Sequence, residues 1–166
     1  MSLVHQLATA VAPWADFYNA SKAAQSVVTF GHFGGIMTAG GFALAADRAT
    51  LRAAAAPGVE QHRQLRELAG AHPIVVAALA VTALSGLLMF AADLENLIAT
   101  PAFWIKMALV GLLLLNGWVM LRAERALEQG NPGDARGWRR LRTAAIASLV
   151  LWFAVVLAGS ILPNVS

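Results

Sequence analysis

Two nitrogen-bearing side chains sit inside long apolar stretches of this chain. His32 lies in the run 23–46, and Lys106 lies in the run 102–121. An ionisable side chain at membrane depth is costly to keep there, so it marks a functional site by default. A neutral imidazole can ligate haem iron or another metal, pass a proton, or hydrogen-bond a neighbouring helix. All three roles stay open for His32. Lys106 has two readings. Its stem lets the ammonium snorkel to the interface, or it turns inward, near His32, to meet an anionic group such as a cofactor carboxylate.

The face around His32 favours an inward orientation. Ser21, Gln25, Val28, Gly35, Ala39 and Ala43 lie within about 60° of it at helical spacing. Small residues mark the packing face of a membrane helix, because they let a neighbour approach. Gly31 and Gly35 form a GxxxG pair, and Gly34, Gly40 and Gly41 add to it. Close helix packing explains such a stripe, and so does a flat porphyrin against a bared helix. At the depth of His32 the other helices offer Gly111 and an aromatic wall of Trp152 or Phe153. A haem b site would therefore draw on His32, Lys106, Gly35, Gly111 and Trp152, with His32 as the metal ligand.

The other candidates carry less. His72 starts the second apolar run, at the boundary opposite to that of His32, so the two cannot share one haem. His62 falls in a basic segment, and His5 in the N-terminal helix. Met37, Met89, Met107 and Met120 suit Cu(I) by chemistry, yet they are scattered in depth and fill core space. Asn116, Thr38 and Ser148 come to a common depth, as interhelical hydrogen bonds would require. Cysteine is absent, which excludes disulfides and thiol catalysis. No phosphate-binding, zinc-protease or serine-hydrolase motif is present, so enzyme activity by the chain alone is not expected.

The elements that must carry these residues follow from composition. Of 166 residues, 58% are hydrophobic and 13% charged, against about 25% charged in soluble domains. Four runs, 23–46, 73–92, 102–121 and 143–162, each reach the ~20 helical residues that cross a bilayer. Only helices satisfy their own backbone there without closing a barrel. Short connections then predict an all-α, integral membrane, up-down four-helix bundle. Residues 1–20 carry Leu3, Val4, Leu7, Val11, Trp14 and Phe17 or Tyr18 at helical spacing. That pattern predicts an amphipathic helix lying in the interface, broken or kinked at Pro13.

All ten arginines fall in 47–72 and 122–142. Short basic loops stay cytoplasmic, so both termini and the 93–101 loop are expected on the periplasmic side of a bacterial inner membrane. The same split gives the pI of about 10.2 a lipid-facing meaning. No nucleic-acid motif accompanies it. No cytoplasmic domain of useful size is expected, and no cleaved signal. Expected partners are the bilayer, other membrane subunits or a redox partner.

Four stretches resemble a known family. They are Phe30–Gly31–His32–Phe33–Gly34–Gly35 with Ala46–Asp47–Arg48; Thr82 to Phe90; Pro101 to Leu109 with Asn116; and Ser148 to Trp152 with Ala158–Gly159. In order and spacing, from about Val28 to Leu162, they resemble an uncharacterised family of four-helix bacterial inner-membrane proteins. That family is distantly similar to the CopD-type copper-resistance domain and to HemJ-type protoporphyrinogen oxidase. In HemJ-type proteins a first-helix histidine and a third-helix lysine are the functional pair, and a b-type haem is bound. His32 and Lys106 match those positions. The resemblance implies a membrane bundle holding one haem near its outer side for electron transfer. The alternatives from the residues alone are a cofactor-free accessory subunit of a larger membrane complex, and transport of a small solute or metal.

Overall fold

The computed structural model describes residues 3–56, 58–131 and 133–164, and they are almost wholly helical, with no strand among them. The elements are α1 (Leu3–Ala20), α2 (Lys22–Ala53), α3 (Gly58–Ala92), α4 (Leu94–Ala99), α5 (Pro101–Gln129) and α6 (Ala135–Ile161), with a closing 3-10 turn at Leu162–Asn164. Four of them, α2, α3, α5 and α6, are long and apolar enough to cross a membrane. The α2 helix packs along α3, α5 along α6, and α2 against α6.

Local chemistry sets the breaks. Ser21 is extended, and its Oγ accepts the N–H of Ala24, so α1 ends and α2 begins there. Asp134 caps α6 by accepting from the N–H groups of Arg136 and Gly137 at 3.2 and 2.9 Å. Those bonds hold its carboxyl below the usual carboxylate range. Two prolines sit inside helices without ending them, Pro13 in α1 and Pro73 in α3. Each leaves a carbonyl four residues back without its donor. The residues concerned, Thr9 and Ala69, are exposed, so solvent or headgroups can serve those carbonyls. The break expected at Pro13 is therefore absent.

The arginine-rich segments are the larger departure from expectation. Instead of loops they are helical extensions of the four spans, broken among the described residues only at 54–56, 130–131 and 133–134. Alanine, leucine, arginine and glutamate are good helix formers. Arg63 also pairs with Glu67 at 2.9 Å one turn on. The extensions enclose a core of their own, made of Ala53, Leu65, Leu68, Leu127, Trp138 and Leu141. A second apolar layer, Ala39, Ala78 and Trp152, lies deeper in the bundle.

The N-terminal helix is docked, not loose. Trp14 Nε1 donates to the Leu88 carbonyl of α3 at 2.8 Å. His5 faces Glu95 of α4 at 3.6 Å. Near the same end Phe90 of α3 stacks on Phe103 of α5, with ring centroids 5.2 Å apart.

Candidate functional site

At the end of the bundle that carries α1 and α4, His32 leaves α2 toward α3. Its Nδ1 lies 3.1 Å from the Thr82 carbonyl and 3.3 Å from Ser85 Oγ. A carbonyl oxygen only accepts, so Nδ1 carries the proton and Nε2 keeps its lone pair. The partner is thus the Thr82 backbone, while the Thr82 hydroxyl donates to the Ala78 carbonyl. Gly86 makes room for the ring, since a Cβ there would stand 3.1 Å from His32 Cε1.

Lys106 extends toward the C-terminal end of α6. Its Cε and Nζ lie against Gly159 of α6, 3.8 Å from the place of an added Cβ. Among the described residues no carboxylate or carbonyl pairs with the amine. Two nitrogen donors therefore share one half of the bundle, one with a protein partner on its remote nitrogen and one with none.

The donor chemistry fits a haem iron or another metal centre. Ligating histidines usually donate their second ring N–H to a carbonyl or carboxylate, which fixes the tautomer and raises basicity. The remaining expected wall residues are not gathered around this pair. Gly35 is closed off by α3, where a Cβ would stand 2.8 Å from the Ala78 carbonyl oxygen and would also meet Thr82. Trp152 packs its ring edge on Gly40, about two turns further along α2. Gly111 is exposed, with nothing within 4 Å of an added Cβ. On the flank of α2 and α3, an open apolar groove of about 650 Å³ is lined by Phe30, Gly31, Gly34, Thr38, Ile74 and Val81, among others, and His32 is not part of it. Of the expected residues only His32 and Lys106 remain as candidates for a common site, and the glycine stripe is mainly helix-packing surface.

A second polar cluster lies at the arginine-rich end, just beyond the apolar runs. Asp47 of α2 is 2% exposed and Glu124 of α5 is 4% exposed. His72 of α3 reaches Glu124 Oε2 with Nε2 at 3.1 Å. Ser148 of α6 lies near the Asp47 carboxyl and favours its charged form. Asp47 Oδ2 and Glu124 Oε1 have no partner among the described groups. Burial pushes the Glu124 carboxyl up to about 7, with help from Glu128 and Asp47 and against Arg125. Burial pushes Asp47 up to about 6, against Ser148. His72 is lowered, first by burial and also by Arg125, against Glu128. One layer below, Gln64 Nε2 donates to Thr50 Oγ1 at 3.3 Å.

Sequence reasoning missed this cluster. From sequence, His72 marks only the boundary of the second apolar run, and Glu124 is one charge among the arginines of 122–142. One signal was available: Asp47 and Glu124 each fall within three residues of the end of an apolar run. Seeing it required knowing that the helices continue and bury that layer.

The fold and the two polar layers define a helical bundle of membrane type with ionisable groups held inside it. The chain belongs to a family of unknown function, DUF6644, whose model matches residues 28–163. No curated protein and no solved structure matches it.

Proposed function

We propose that this is a multi-pass protein of a bacterial inner membrane that binds one b-type haem through His32 and Lys106 and takes part in membrane electron transfer. The observation that carries the reading is the 3.1 Å contact of His32 Nδ1 with the Thr82 carbonyl, which makes Nδ1 the donor and leaves Nε2 to present a lone pair. Lys106 supports it, its amine lying beside Gly159 with no ion-pair partner among the described residues. The reading is also supported by the resemblance expected from sequence to HemJ-type proteins, whose functional pair is a first-helix histidine and a third-helix lysine. Bound haem would supply one-electron chemistry. The chain's own residues would orient the imidazole, hold a basic amine nearby and keep both away from water. The arginine-rich ends would face the cytoplasm, leaving His32 and Lys106 in the periplasmic half.

The test is an absorbance spectrum of protein expressed with haem supply and purified in detergent. A Soret band is expected, strongly reduced in His32→Ala and shifted in Lys106→Met. No band in the wild type, or an equal band in His32→Ala, would sink the reading.

A second reading is an accessory subunit of a larger membrane complex. The open groove between α2 and α3 favours it, since its glycine floor suits a foreign transmembrane helix. Native mass spectrometry of the protein extracted from its own membrane would then show a stable partner. A lone monomer would count against it.

A further inference from the structure

We propose that Asp47, Glu124 and His72 form a proton-binding site at the arginine-rich end of the bundle, in which the two carboxyls store a proton and His72 exchanges it with the outside. The site stands apart from the His32–Lys106 pair. His32 and Asp47 are separated by about 22 Å of α2.

The geometry is contributed by all four long helices. The α2 helix brings Asp47, α3 brings His72, α5 brings Glu124 and α6 brings Ser148. Apolar layers close the cluster on both sides: Ala39, Ala78 and Trp152 on one, and Leu65, Leu68, Leu127, Trp138 and Leu141 on the other. Each carboxyl keeps one buried oxygen without a partner, Asp47 Oδ2 and Glu124 Oε1. A native interior rarely leaves such atoms orphaned unless something else occupies them. The occupant can be a proton or a cation.

The ligand set favours the proton. Asp47, Glu124 and His72, like every other such group among the described residues, do not converge closely enough to hold a metal ion. No arginine or lysine forms an ion pair with either carboxyl among those residues. The charged neighbours of Glu124 are Glu128 and Arg125 on its own helix and Asp47 across the bundle. The two on α5 oppose each other, so Asp47 remains as the uncompensated like charge. Two buried carboxyls facing that balance cannot both ionise readily, and one proton relieves them. The raised Glu124 carboxyl agrees with this.

His72 is the port. Its side chain is 37% exposed, whereas that of Glu124 is 5% exposed. Water can protonate the ring at Nδ1 while Nε2 passes its proton to Glu124 Oε2, 3.1 Å away. The ring then returns to its first tautomer. One proton enters from water and one is held on the carboxyl, with no electron transferred.

The experiment is infrared difference spectroscopy of the full chain in lipid nanodiscs across a pH titration. The wild type should keep a protonated-carboxyl C=O band at neutral pH that disappears under alkaline conditions. Glu124→Gln and Asp47→Asn should each diminish it, and together abolish it. After a pH jump, His72→Gln should slow loss of the band by roughly tenfold or more. Absence of the band from the wild type at neutral pH overturns the proposal without recourse to any variant. So does a band untouched by both carboxyl substitutions. Loss of the band on adding sodium or magnesium ions at fixed pH would show a cation site instead. An unchanged rate in His72→Gln would remove the port. None of these readouts needs haem, so this proposal and the haem reading fail separately.

Discussion

Glu124 shows how position alone misleads at the level of one side chain. In the sequence it follows Arg122 and precedes Arg125, and looks like one member of a solvated charge pattern. In the fold Arg122 turns away to cover the Trp118 ring at 4.0 Å, and Glu124 is left in the interior beside His72. Periodicity gave the face of His32 correctly, because small residues around a polar one are a local signal. The fate of Glu124 depends on where three other helices pass, which no local pattern encodes. A pH effect on stability follows. The folded-state Glu124 carboxyl is raised above its ordinary 4.5 to about 7. The folded state therefore binds more protons than the unfolded one between those values, and stability falls as pH rises through that window. His72 is lowered from 6.5, so it acts oppositely below that pH, gaining stability as pH rises. The clean comparison is wild type against Glu124→Gln. Relative to that variant, the wild type should lose on the order of 3 kcal/mol from acid to mildly alkaline conditions. Denaturant unfolding in detergent at a series of pH values measures it; parallel curves would contradict the assignment.

Among the elements, α2 and α3 form the closest pair, and Gly35 is the reason. A methyl group at that position meets the Ala78 carbonyl and Thr82, and neither can swing aside as a long side chain would. Gly35→Ala should destabilise the bundle by about 1–3 kcal/mol, whereas Gly111→Ala, in open space, should change little. Thermal unfolding in detergent distinguishes the two, and equal effects would mean that α2 and α3 are not so close. The four apolar cores of these helices were legible from run length alone. Their polar continuations were not, because arginine-rich sequence after a span reads as a loop by the topology rule. Helix propensity and the buried positions Leu65, Leu68, Leu127 and Leu141 were both present in the sequence. They become decisive only once the extensions meet one another.

As a whole molecule, the protein is a bundle with two polar layers separated by an apolar one. The layer holding His32, Ser85 and Lys106 is nearer α1, and that of Asp47, Glu124 and His72 is nearer the arginines. The orientation proposed above is open to a direct check, since the chain has no cysteine of its own. Single cysteines at Asn19 or Ala99 should react with an impermeant maleimide in intact spheroplasts. Those at Ala55 or Gln129 should react only after lysis. The reverse pattern would invert the topology and move both polar layers to the other sides.

The clasp between Trp14 and the Leu88 carbonyl has a consequence for assembly. The helix bearing Trp14 leaves the ribosome well before its acceptor does. Until α3 has entered the membrane and reached Leu88, α1 has nowhere to dock and must wait at the surface. A segment made early thus waits for a later one before it finds its place. A bulky fusion ahead of it would act on that final latch, while leaving the insertion of the four spans untouched.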